Sequence, residues 1–169
     1  MLQGRTLWEL LDRRVDATPD ALMAVDEDMR TITFSEYWSE SERAAAGLLG
    51  HGVQPGSVVS WQLPTWIESL VLVGALSRIG AIQNPISPTI RKREVGFVTD
   101  QAGSVLLIVP SVWHNFNFEE MGCSISTAGG GDMRVLVSDR ALPQGDPSAL
   151  PPISELLDQV DQPVRWIFF

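Results

Sequence analysis

Hydrophobic positions along this chain switch between helical and extended spacing, and the switches mark out its elements. Leu7, Leu10, Leu11 and Val15 recur at helical spacing. Thr6 and Glu9 before them have capping-box spacing, in which a hydroxyl and a carboxylate satisfy free amides at a helix start. Thr18-Pro19-Asp20 stops that helix. Ala21 to Val25 and Thr31 to Phe34 read as short extended runs joined by the acidic turn Asp26-Glu27-Asp28, which predicts a hairpin. Thr33 with Glu36 predicts a second capping box and a helix through Leu49, ended by Gly50-His51-Gly52. Val58 to Leu63 is a strand closed by Pro64, and Thr65 with Glu68 predicts a third capping box. The helix that follows carries Ile67, Leu70 to Val73, Ala75, Leu76 and Ile79, so it is apolar almost all round and belongs inside the fold.

Ala81 to Ile86 is again short and extended, and Pro85 and Pro88 hold the next loop open. A helix is expected from Arg91 to Gln101, and Val105 to Val109 has the aliphatic run of a strand buried on both faces. After Pro110 the rhythm lapses: Trp113 to Phe118 and Gly129-Gly130-Gly131 show no period. Arg134 to Val137 resumes as a strand, a proline-rich loop runs to Pro152, and Ile153 to Val160 reads as a short helix. Strands alternating with helices imply right-handed crossovers. The expected fold class is α/β, a largely parallel sheet flanked by helices. Val164 to Phe169 ends the chain on aromatic residues, where chain ends ordinarily fray into solvent, and reads as a core strand that continues further.

Composition narrows the function classes. At 169 residues, with 44% hydrophobic and 20% charged positions, one soluble globular domain is expected. The formal charge of −9 argues against nucleic acid and against electrostatic docking on an anionic membrane. Cys123 is the only cysteine, which excludes a disulfide framework and a multi-thiolate zinc site. A catalytic thiol would need a base, and His51 and His114 each have simpler explanations. The most apolar stretch, Leu63 to Ile82, contains Glu68 and Arg78 with nine uncharged residues between them, too few for a transmembrane segment. The first residues lack signal-peptide order, so a cytoplasmic protein is expected.

Five blocks in order resemble the start of the acyl-adenylate-forming superfamily of acyl-CoA ligases, luciferases and peptide-synthetase adenylation domains. They are Ile32-Thr33-Phe34-Ser35-Glu36-Tyr37, then Gly52-Val53-Gln54-Pro55-Gly56-Ser57-Val58-Val59, and Leu63-Pro64-Thr65. Gly74-Ala75-Leu76 through Gly80-Ala81 and Asn84-Pro85 form the fourth, and Arg93-Glu94-Val95 to Val109-Pro110 the fifth. Ser57 replaces the usual aspartate, and the resemblance weakens from Ser111 to Pro163. It implies that residues 1–169 are the N-terminal portion of an AMP-forming ligase. The parent would couple a carboxylic acid, of the fatty class, to ATP with Mg²⁺ and pass the acyl group to CoA. In that family a strand like Val164 to Phe169 runs into a Gly-rich phosphate loop. That loop, the ribose-binding aspartate and the C-terminal catalytic lysine match nothing in this sequence, so no catalytic residue is assigned and these residues alone are expected to be inactive. Two alternatives stand beside this reading: an adenylating enzyme with another acceptor, of the fatty-acyl-AMP ligase type, and a non-catalytic binding module. A homo-oligomer stays open.

Arg91-Lys92-Arg93 is the best local candidate for binding. Three cations at a helix N-terminus oppose its partial positive charge, and a bound anion would compensate them. In some of the CoA ligases that the sequence resembles, the CoA phosphates lie near the corresponding helix start, while a solvated face is the simpler state of exposed arginines. Gly129-Gly130-Gly131 lacks the following Lys-Ser/Thr of a phosphate loop and reads as a flexible linker. Asp26-Glu27-Asp28 lacks a calcium-loop pattern and reads as a solvated turn. Trp8, Trp61, Trp66 and Trp166 are expected in the core, with Trp38 and Trp113 undecided.

Overall fold

Three crossovers between parallel strands build the central sheet of this computed structural model, which describes residues 6–153, 155 and 165–169. The chain opens with α1 (Leu7–Ala17), a hairpin of β1 (Leu22–Val25) and β2 (Thr31–Thr33), and α2 (Phe34–Gly50). Then come β3 (Val58–Trp61), α3 (Ile67–Ile79), β4 (Ile82–Pro85), α4 (Lys92–Ala102) and β5 (Leu106–Val109). A two-residue hairpin, β6 (Val112–Trp113) and β7 (Phe116–Asn117), leads into α5 (Phe118–Ala128) and β8 (Arg134–Val137). The strands order as β4-β3-β5-β8, all parallel. The fold is therefore α/β with a parallel sheet, as the strand–helix alternation predicts.

The sheet divides two apolar layers by the period-two alternation of its strands. Val59, Leu106 and Ile108 face α1, α2 and α3, together with Trp8, Leu48, Leu72 and Leu76. Leu107 and Val109 face the other way, against Val95 and Val98 of α4 and Phe118, Met121 and Ile125 of α5. α3 is buried as expected. Its two charges are neutralised locally, Glu68 by Arg30 at 2.7 Å and Arg78 by Glu42 at 3.2 Å.

α2 and α3 pack closely because Gly74 presents no side chain. A Cβ there would lie 2.3 Å from Ser41 Oγ and 2.9 Å from the Tyr37 hydroxyl. Tyr37 donates that hydroxyl to the Leu70 carbonyl at 2.9 Å, and burial pushes its pKa up to about 12.

Four expectations need correction. Thr65 does not cap α3: its N-cap is Trp66, with no side-chain hydrogen bond, because Glu68 is taken by Arg30. The aperiodic stretch after Pro110 contains the β6–β7 hairpin and the whole of α5. His114 and Asn115 turn the hairpin at φ 48° and 60°. Gly129-Gly130-Gly131 is the capping turn of α5, with Gly131 N–H donating to the Ser126 carbonyl at 2.8 Å, rather than a linker. Asp26-Glu27-Asp28 is an ion-paired node, taken up below, rather than a solvated turn. Most of the expected helix Ile153 to Val160 lies outside the described residues. So does Val164; beyond it, Trp166 makes a single parallel bridge to Gln83 at the β4 edge.

Candidate functional site

Chain direction reverses about β3: α3 carries the chain outward to β4 on one face, and α4 carries it back past β3 to β5 on the other. In open parallel sheets ligands bind outside the carboxyl ends of the strands at such a switch point. The residues gathered there are Gln62 and Leu63 after β3, the Ile86–Arg91 loop after β4, and Pro110 with the β6–β7 hairpin after β5.

Gln62 fixes this end of the sheet. It is fully buried, and its Nε2 donates to the carbonyls of Ser87 at 2.6 Å and Ile90 at 3.1 Å, which pins the loop before α4. Asn84 donates Nδ2 to Ser60 Oγ at 2.8 Å, and Ser60 shares a hydrogen bond with Ser104 at 2.6 Å. Gln62 Oε1 and Asn84 Oδ1 are buried acceptors without a donor among the described residues. Their sequence signal is a pair of amides in otherwise aliphatic strands, which periodicity alone does not flag.

The three predicted cations divide by role. Arg91, the N-cap of α4, donates to the carbonyls of Pro88 at 2.7 Å and Ile90 at 3.0 Å. Its guanidinium also lies 4.2 Å above the Phe116 ring, so its charge is committed to holding loop and hairpin together. Lys92 reaches Ser124 of α5. Arg93 is exposed, and its side chain makes no hydrogen bond or ion pair with any described residue. Lys92 and Arg93 also line a groove of about 860 Å³ between α4 and α5. Two cations without an ion pair to any described residue thus stand on the first turn of a helix, where the macrodipole disfavours them and an anion would be stabilised.

The remaining candidates are structural. Trp8 is core, and Trp38 donates Nε1 to Asp12 at 2.6 Å while its ring meets Trp8 at 5.9 Å. Trp113 stacks on His114 at 3.9 Å on the exposed hairpin. His51 caps α2 with its carbonyl accepting from Arg134. Among the described residues no helix is long and apolar enough to cross a membrane.

A parallel α/β sheet whose loops and one helix start gather beyond its carboxyl edge is the architecture in which open sheets place their ligand sites. More particularly, the chain belongs to the AMP-binding enzyme family, which it matches over residues 11–159. It is 30% identical over 126 residues to 2-hydroxy-7-methoxy-5-methyl-1-naphthoate–CoA ligase of Streptomyces carzinostaticus, covering 75% of this chain and 22% of that protein. It is 33% identical over 122 residues to salicyl-AMP ligase / salicyl-S-ArCP synthetase of Mycobacterium tuberculosis, covering 70% of this chain and 22% of that protein. Among solved structures it resembles a putative long-chain-fatty-acid CoA ligase from Rhodopseudomonas palustris. There the TM-score is 0.68 at 24% identity, over 97% of this chain and 38% of that one, which speaks for the fold. The chain thus spans about a fifth of the length of the two curated relatives.

Proposed function

We propose that these residues are the N-terminal part of a ligase that activates a carboxylic acid with ATP and passes the acyl group to CoA. The observation that carries this reading is the family match over residues 11–159 on a sheet of the corresponding fold. In such a reaction a carboxylate oxygen attacks the α-phosphorus of ATP and pyrophosphate leaves with Mg²⁺ screening its charge. A thiol then attacks the acyl carbonyl, and AMP leaves. The described residues supply the scaffold for the acid and nucleotide sites, while Lys92 and Arg93 offer their free charge to a CoA phosphate. Arg91 shapes the loop on which they stand.

A second reading differs in the acceptor, and one relative favours it: salicyl-AMP ligase is also named a synthetase of a carrier-protein thioester. The full-length protein carrying this chain separates the two. Acid-dependent exchange of pyrophosphate into ATP is expected with fatty or aromatic acids, followed by CoA thioester formation. Exchange without a CoA thioester supports the carrier acceptor, and absence of exchange with every acid overturns the ligase reading. Replacing Lys92 and Arg93 together with alanine should raise the KM for CoA at least about tenfold, since a hydrogen bond to a charged group contributes about 1.5–3 kcal/mol. Pyrophosphate exchange should be nearly unchanged. An unaltered KM returns both residues to a solvated face.

A further inference from the structure

The outer face of α4 carries a pattern that its own chain does not use. Arg93, Gly96, Phe97, Asp100 and Gly103 recur at helical spacing and all border the groove between α4 and α5. Phe97 is 63% exposed, although a large aromatic ring gains most by burial. The side chains of Arg93 at one end and Asp100 at the other make no hydrogen bond or ion pair with any described residue. Glycine inside a helix is destabilising relative to alanine. Yet Gly96 is not required by packing within the chain, since a Cβ there would meet nothing closer than Ile125 at 3.8 Å.

We propose that this face docks against the same face of a second copy of the chain, about a two-fold axis beside Gly96 and Phe97. The pattern is self-complementary under that operation. Arg93 and Asp100 are two helical turns apart, about 10 Å. Antiparallel apposition of two α4 helices sets each Arg93 opposite the partner copy's acidic end. Each Phe97 enters the partner copy's groove of about 860 Å³, over the gap left by Gly96 and against Ile125 and Met133. One surface supplying knob, hole, cation and anion is what an isologous dimer needs. A helical ligand of another protein would require only one half of each pair.

This proposal is independent of the ligase reading, although a polyanion held by Lys92 and Arg93 would compete with Asp100 of the second copy. The test is therefore sedimentation equilibrium of the full-length protein carrying this chain, without nucleotide, at concentrations up to about 1 mM, the weak end of specific binding. A reversible dimer is expected. Arg93→Glu should weaken it at least about tenfold, because like charges then meet at two symmetric contacts. Adding Asp100→Arg should restore it to within about threefold, as coupled charges predict. Gly96→Ala should weaken the dimer while raising the helical stability of the monomer, a split that a misfolded variant would not show. A chain that stays monomeric to the highest concentration overturns the proposal. So does a dimer indifferent to Arg93→Glu and Phe97→Ser, which would place the contact elsewhere, as at the exposed Phe168 and Phe169.

Discussion

Gly74 shows how one missing side chain sets the spacing of two layers. Glycine inside a helix costs about 1 kcal/mol relative to alanine, so Gly74→Ala would stabilise an isolated α3. In the folded chain the added methyl would sit 2.9 Å from Ser41 Cβ, which is fixed to the α2 backbone and cannot swing aside. Overpacking of this kind costs about 1–3 kcal/mol, so the clash outweighs the helical gain. Gly74→Ala should lower the unfolding free energy in urea, and Ser41→Gly in the same chain should recover part of the loss by removing the two Ser41 atoms and leaving only the Tyr37 hydroxyl in the way. A Gly74→Ala protein as stable as the parent would show that α2 and α3 slide apart at little cost.

Helix starts test how far local spacing can be read. Thr33 and Glu36 form the box that their spacing predicts: Glu36 N–H donates to Thr33 Oγ1 at 3.3 Å, and Thr33 N–H donates to Glu36 at 2.8 Å. Those contacts from Thr33 hold the Glu36 carboxyl below its ordinary pKa. Thr65 and Glu68 have the same spacing and no box, because Arg30, 38 residues earlier in the chain, claims Glu68 first. Thr33→Ala should therefore destabilise the protein by about 0.5–2 kcal/mol, the usual range for losing an N-cap. Thr65→Ala should stay within about 0.5 kcal/mol of the parent, as exposed substitutions do. Equal losses in denaturant melts would contradict the observed caps. The same contrast explains what the sequence discloses. β3, β5 and α3 are legible because burial from both sides makes each an almost unbroken apolar run. α5 is not, because its buried stripe is short, Phe118, Met121, Gly122 and Ile125, and has a glycine where a large apolar side chain would mark the period. At the candidate site the run of cations was visible in the sequence, whereas the partition of Arg91 from Lys92 and Arg93 depends on a hairpin 25 residues away.

Across the whole molecule, the acidic turn after β1 binds together three distant segments. Asp26, whose side chain is only 2% exposed, accepts from the amides of Asp28 and Arg30 at 3.0 Å each and from the Arg30 guanidinium at 2.7 Å. Arg30 continues to Glu68 at the head of α3 through two bonds of 2.7 and 2.9 Å. From beyond β8, Arg140 pairs with Asp28 at 2.8 Å and Glu27 at 3.1 Å and lies 4.8 Å over the Trp66 ring. Burial raises the Asp26 pKa, but the Arg30 amide, its guanidinium and the Asp28 amide together outweigh it and hold the carboxyl below its ordinary value. A carboxyl depressed in the folded state contributes stability above its unfolded pKa, near 3.9, and loses it as pH falls through the lower folded value. Asp26→Asn should consequently melt below the parent at pH 7, and the gap should narrow only below about pH 4. Arg30→Gln should melt lower still at pH 7, since it removes the cation of Glu68 and leaves Asp26 only the more distant Arg140, at 3.6 Å. Melting temperatures of the three proteins from neutral to strongly acidic pH decide the matter. A gap between parent and Asp26→Asn that stays constant throughout would mean that the node holds by shape rather than by charge.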